Sequence, residues 1–353
     1  MNNELRIMGI LKKIYCLTFI LSSLFVILST APTAHAQGVS LGISPPVIQI
    51  EAKPPASINA PITIENNGDE PVELQIRLRG FTASPKEDGH VEYYPEKDPR
   101  SAPAIFEKIQ ISENDHPKTS ITLAPQEKKN LVMHIGIPKG EPLNDYYFSV
   151  VFISKTAQSD AEKPASQTPV GIATNVLLSI GPKGLPKGEI AQFSSPFFVD
   201  HGPVPFSVKL KNTGDRVLVP TGEILIKNMF NQIIGRVDLL PVNILAKTTR
   251  AIPDGLSSSS GTPSAELQAQ FKKVHEDLQI GYGTSPVALW PEEFLLGPYT
   301  AQLTVALSDQ GPVFRRSIYF FALPLYLLVS IIIGIIVITY LIIRVRRRMK
   351  QVK

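Results

Sequence analysis

Along most of the chain, apolar and polar side chains alternate. Val72-Glu73-Leu74-Gln75-Ile76-Arg77-Leu78-Arg79 puts four apolar residues on one face and four polar ones on the other. That is the pattern of a half-buried β-strand. Leu131–Ile137 and Tyr299–Leu307 repeat it. Tyr146–Ile153 is apolar on both faces, which predicts a strand central in a packed sheet. A turn also recurs. Pro61-Ile62-Thr63-Ile64-Glu65-Asn66-Asn67-Gly68-Asp69 runs a strand into Asn-x-Gly-Asp, and Pro205–Asp215 repeats this 146 positions later. Asparagine bonds its own backbone and glycine supplies positive φ, so both stretches predict chain reversal. Each copy closes on a similar hairpin, Leu143–Phe148 and Leu296–Thr300. The pattern predicts an all-β fold of two tandem immunoglobulin-like β-sandwiches, at 37–183 and 184–316. The boundary is expected in Gly181-Pro182-Lys183-Gly184-Leu185-Pro186-Lys187-Gly188.

Two segments break the alternation. Lys155–Pro169 is polar and reads as an exposed loop before the strand Val170–Ile180. In Ser264–Ile280, Leu267, Phe271, Val274 and Leu278 fall on one helical face. Thr262, Pro263 and Gly281 suit its ends, so a helix is predicted over 264–280. It is either a cap over an open sandwich end or a docking element.

The two ends predict a compartment. Arg6, Lys12 and Lys13 precede the apolar stretch Ile14–Leu28 and then Ala34-His35-Ala36. That order reads as a signal peptide over 1–36, cut between Ala36 and Gln37. Ser317–Ile343 holds 27 residues without a charge, about 40 Å as a helix. It is followed by a basic tail over 344–353 containing Arg344, Arg346, Arg347 and Arg348. These features predict a single transmembrane helix at 317–343, contacting membrane lipid, with the N-terminal part outside and the C-terminus cytoplasmic. The whole fold class is then two sandwiches followed by one transmembrane helix.

Composition adds three constraints. Proline is 31 of 353 residues, which works against long soluble helices. The formal net charge is +4, but residues 37–318 hold 26 Lys and Arg against 30 Asp and Glu. The basic excess belongs to the ends, so no nucleic-acid partner is indicated. The one cysteine, Cys16, lies in the signal segment, which excludes disulfides and cysteine metal sites from the mature chain.

Catalytic and cofactor constellations are not found. There is no Gly-x-Ser-x-Gly, no His-Glu-x-x-His and no phosphate-cradling glycine loop. His90, His116, His134, His201 and His275 form no ligand pair by spacing. His134 falls on the polar face of its strand and reads as solvated. Asp200-His201 lacks a third partner. Glu87, Asp88, Asp98 and Asp115 are loop acids whose spacing matches no calcium loop. Leu185-Pro186-Lys187-Gly188 echoes a sortase signal without its threonine. The expectation is no enzyme, no cofactor and no metal.

The layout resembles the WxL-interacting proteins of Gram-positive-type bacterial cell surfaces. The residues that carry the resemblance are Ile137-Pro138-Lys139-Gly140 leading into Asp145–Phe152, the strand Gly171–Ile180, and Ser195–Phe206 in the second module. The resemblance implies a peptidoglycan-binding immunoglobulin-like domain, a second such domain, an anchor, and a cell-wall glycan or surface protein as partner. The expected function is a membrane-anchored extracytoplasmic binding or scaffold protein, with Tyr93 and Tyr94 available to stack on sugars. The alternative is an extracytoplasmic chaperone or assembly subunit using strand exchange. An extracellular enzyme is the third class, and it needs two or more of Asp200, His201, His275 and Glu276 gathered in one pocket.

Overall fold

The computed structural model describes residues 40–154, 170–182, 184–255, 286–308 and 311–351, with only the backbone at 327 and 345–351. The signal segment, the 155–169 loop and the 264–280 helix lie outside the described residues. The rest is mostly β-sheet.

The first module contains β1 (Leu41–Ser44), β2 (Val47–Ala52), β3 (Ala56–Asn66), β4 (Val72–Ala83), β5 (Val91–Tyr93), β6 (Ile109–Glu113), β7 (His116–Pro117), β8 (Ser120–Leu123), β9 (Lys128–Ile137), β10 (Asp145–Ser154) and β11 (Gly171–Ile180). One sheet has the order β1-β3-β9-β6-β7. The facing sheet, called the elbow sheet below, has the order β2-β11-β10-β4-β5, with β8 also on β4. β10, apolar on both faces, lies in its centre between β11 and β4. The alternation seen in sequence drives Ile62, Ile64, Leu74, Leu131, Met133, Phe148 and Phe152 into the space between the sheets. Burying each such side chain contributes about 1.5–3 kcal/mol.

The second module repeats the plan with β12 (Gly188–Ser194), β13 (Phe198–Val199), β14 (Val204–Asn212), β15 (Thr221–Lys227), β16 (Ile233–Leu239), β17 (Thr249–Ala251), β18 (Ala288–Trp290), β19 (Gly297–Ala306) and β20 (Val313–Ala322). Its sheets are β12-β14-β17, with β18 on β14, and β13-β20-β19-β15-β16. An aromatic chain fills the interior. Phe193 meets Phe206, Phe206 meets Phe320, and Tyr299 bridges Phe320 to Trp290, at centroid distances of 5.3–6.1 Å.

The repeated turn is held by asparagine, not by glycine. Asn66 is 1% exposed, and its amide donates to the carbonyls of Glu70 (2.7 Å) and Ala124 (3.1 Å) while its oxygen accepts from Gly68 N–H (3.0 Å). Asn212 makes the same three bonds, to Arg216, Ile244 and Gly214, at 2.7, 3.0 and 2.9 Å. Neither Gly68 nor Gly214 is among the residues of positive φ, so the expected left-handed glycine is not what reverses the chain.

The expected transmembrane helix at 317–343 is corrected. Ser317–Ala322 completes β20 and pairs with β19, because its alternation fits the second sandwich. Helix α1 (Leu325–Gln351) begins only after Pro324. Among the described residues no helix is long and apolar enough to cross a membrane. The single-pass topology and the lipid contact through a C-terminal helix are withdrawn with it. Ile331, Ile335, Ile338 and Ile342 of α1 are exposed, and so is Arg344. The side chains of Arg346, Arg347 and Arg348 lie outside those described.

Substituting Asn66→Ala or Asn212→Ala removes three hydrogen bonds that tie the turn to its neighbours. Each variant is expected to lose about 3 kcal/mol in urea unfolding, while Asn67→Ala, exposed next door, stays within about 0.5 kcal/mol. Equal effects at 66 and 67 would show that the turn is not held this way.

Candidate functional site: the elbow between the modules

The two sandwiches meet through side chains that point outward from the elbow sheet. Phe81, Leu177 and Tyr147 share one row of that face and pack on Val217 and Leu245 of the second module. Phe81 and Tyr147 stack at 6.4 Å. Beside this cluster lies Asp145, whose side chain is 2% exposed. It accepts from Arg216 Nη1 at 2.8 Å, from Val217 N–H at 2.7 Å and from the Tyr147 hydroxyl at 3.1 Å. The Tyr147 hydroxyl in turn accepts from Ala246 N–H at 3.3 Å. Burial and the Asp145 charge push the Tyr147 pKa well above the usual tyrosine value, so this proton stays in place.

Further along the joint, Lys209 meets Glu87 at 2.6 Å, and Ala251 N–H donates to the Glu87 carbonyl at 2.8 Å. A cavity of about 240 Å³ opens there, with Phe81, Leu177 and Leu245 on its apolar side and Asn243, Gly89 and Arg250 on its polar side. Arg250 Nη1 donates to the Asn243 carbonyl at 2.6 Å, whereas its Nε is buried with no partner. Burial lowers the Arg250 pKa, and the nearby Asp88 charge opposes this. Gly89, with φ +89°, lies so close to this guanidinium that a Cβ would sit 2.4 Å from Nη2. A side chain there would displace the arginine.

The elbow sheet also has an open edge. β10 pairs with β11 from Gly171 to Ser179, but β2 joins β11 only from Asn175 onward. Gly171–Thr174 therefore has one ladder partner among the described residues. Asn175 N–H donates toward β2, to the Pro46 carbonyl at 3.0 Å. By the two-residue alternation of a strand, the N–H and C=O groups of Gly171 and Ala173 point to that same, uncovered side.

The sequence-selected residues separate. Asp200 and His201 pair at 2.7 Å, with Asp200 half-buried and His201 exposed, and neither lines the cavity at the joint. His275 and Glu276 lie outside the described residues, as do Ala36 and Gln37. Asp88 caps His90, and Asp98 holds Arg100. No group of three His, Cys, Asp or Glu able to hold a metal occurs among the described residues. Tyr93 and Tyr94 are not free platforms, because the guanidiniums of Arg79 and Arg100 lie over their rings at 5.1 and 4.4 Å.

His134 is not simply solvated. Its Nδ1 is 2.6 Å from Asn59 Oδ1 and its Nε2 is 2.7 Å from Ser112 Oγ. Spacing hid this row, because its members sit on β3, β9 and β6. It has the order of nucleophile, base and orienting group, yet Ser112 is 3% exposed, so its hydroxyl cannot meet a substrate. Among the described residues, this row offers no hydroxyl open to a substrate. The elbow residues Asp145, Arg216 and Arg250 were missed in sequence. Asp145 stood inside the quoted hairpin, but nothing local marks its long-range partner.

No family model matches the chain, and no curated protein matches it. Among solved structures it is similar to the class 5 fimbriae chaperone CfaA, at 10% identity over 81% of this chain and 100% of that one, with a TM-score of 0.34. It is also similar to the E. coli chaperone DraB, at 11% identity over 79% and 96%, with a TM-score of 0.32. YadV chaperone follows at 10% identity over 79% and 99%, with a TM-score of 0.29. At these scores the likeness carries no functional argument. The resemblance to WxL-interacting proteins is corrected, since no family model supports it and these similar structures are chaperones. The membrane-anchored, peptidoglycan-binding scaffold and its cell-wall glycan partner are withdrawn with it.

Asp145→Ala strands the Arg216 guanidinium and an N–H, and is expected to cost about 3–5 kcal/mol in thermal or urea unfolding. The raised Tyr147 pKa has a defined sign. Above about pH 10 the unfolded tyrosine loses its proton and the folded one keeps it, so stability falls as pH rises. In Tyr147→Phe the fall in stability between neutral and strongly alkaline pH is expected to be smaller, read from melting temperatures across that range.

Proposed function

We propose that the protein is an extracytoplasmic chaperone or assembly factor that holds a partner polypeptide by strand pairing at the elbow. The observation that supports this is the stretch Gly171–Ala173 of β11, whose outward N–H and C=O groups no described strand pairs, next to Thr174, which is buried with its hydroxyl on the Pro45 carbonyl at 2.6 Å. A free edge inside a fixed angle between two modules offers main-chain bonds to an extended segment, and neighbouring side chains choose which segment fits. The reading rests on the edge itself. Export through cleavage between Ala36 and Gln37 belongs to the same proposal, and Gln37 is the expected first residue of the mature chain on N-terminal sequencing.

The edge is tested with proline. Ala173→Pro removes an N–H that faces the open side, so the module stays folded. Ile172→Pro removes one that faces β10 and weakens the sheet. A photo-cross-linker at position 172, in the chain purified from its own cells, is expected to mark one contiguous partner segment of alternating apolar residues. Ala173→Pro is expected to abolish those adducts without changing the melting curve. Adducts that persist in the proline variant, or scatter over unrelated segments, would falsify strand pairing here.

A further inference from the structure

We infer that the segment held at the elbow is acidic, because the outer face of the elbow sheet presents arginines with no carboxylate at ion-pair distance among the described residues. This rests on the strand-pairing reading and adds the chemistry of the partner. Arg77 and Arg79 stand two apart on β4, on the face away from the core. Arg77 is exposed and bonds only Gln75 Oε1, at 3.0 Å. Arg79 is half-buried, with its guanidinium over Tyr93 and a bond to the Tyr94 carbonyl at 3.3 Å. Neither has a carboxylate within ion-pair distance among the described residues, whereas Arg100, Lys108, Lys209 and Arg216 of the first module and the joint each have one. Arg250, at the cavity end of the same face, has none either. Glu73 and Glu51 share the face but lie at its ends, two or more rows from Ala173.

Register places these cations against the open edge. Val151 pairs with Arg77 on one side and with Ala173 on the other, and Ser149 pairs with Arg79 and Asn175. Strands are spaced by about 4.8 Å, so a strand added beside β11 would lie about 14 Å from the Arg77 backbone. An arginine and a glutamate side chain, extended toward each other over Val151, cover that gap. Every second residue of the added strand faces the arginines, and acidic residues there gain charge-assisted contacts. The opposite pattern, lysine at those positions, meets like charge.

The test uses two peptides of one length, one alternating valine with glutamate and the other alternating valine with lysine, bound to the full chain and followed by fluorescence anisotropy. The glutamate peptide is expected to bind, and to weaken as salt rises. Arg77→Glu, at an exposed site without packing duties, is expected to weaken it by about tenfold, and Arg77→Lys to restore most of the loss. Equal affinity of both peptides, each lost in Ala173→Pro, would leave the edge standing and sink the acidic preference. Glutamate-peptide binding that survives Ala173→Pro but fails in Arg77→Glu would keep the cationic face and remove the edge. Failure of both peptides to bind overturns the inference.

Discussion

A buried carboxylate fixes the angle between the two sandwiches. Asp145 begins β10 and accepts from a side chain and a main-chain N–H of the other module. Burying an ion pair costs several kcal/mol of desolvation per charge, so this bond is not mainly a source of net stability. Its effect is selectivity. Any other angle between the modules strands Asp145, Arg216 and the Val217 N–H out of water. The apolar row of Phe81, Tyr147 and Leu177 supplies the non-directional part of the contact, and Asp145 supplies the direction. The cavity, the outer face of the elbow sheet and its open edge all take their relation to the second module from this joint.

Both modules end on a long edge, yet the two edges differ in chemistry. β20 pairs with β13 only through Phe198–Val199, so most of its outer side lacks a strand. It carries Arg315 and Arg316 along that stretch. Charges of this kind on an edge discourage association with other strands. The uncovered part of β11 reads Gly-Ile-Ala-Thr, without charge or bulk. A protein that needed only to avoid aggregation would have guarded both edges. The contrast between them is the reason to place partner binding at β11, and the arginines of β4 then act two strands away, where they select a partner and leave the pairing groups open.

Much of the fold was legible because alternation is a local signal. Val72–Arg79, Leu131–Ile137 and Tyr299–Leu307 each became strands, since a period of two leaves no other way to bury one face. The repeat was legible as well, although its mechanism was misread. Asparagine and glycine stand two positions apart in both copies, and only the long-range carbonyls of Ala124 and Ile244 reveal that asparagine carries the turn. Ser317–Ala322 was misassigned because an uncharged run hides a strand inside a longer apolar stretch. The site was not legible. Arg216 follows Asp145 by 71 positions and His134 follows Asn59 by 75, and no spacing rule links residues brought together by sheet register.

The same register sets which groups the two surfaces expose. A nucleophile needs an accessible oxygen beside its base, and the row Ser112-His134-Asn59 offers the base and orienting group but encloses the oxygen. On the elbow sheet the balance is reversed. Ser149 is fully enclosed and spends its hydroxyl on Asn175, at 2.6 Å, while the Arg77 guanidinium is exposed in the middle of that face and Glu51 and Glu73 are exposed at its ends. Guanidiniums stay charged across the physiological range and transfer no protons there. They attract and orient. A permanently charged guanidinium two strands from an edge that no described strand pairs suits the holding of an extended chain, as proposed above.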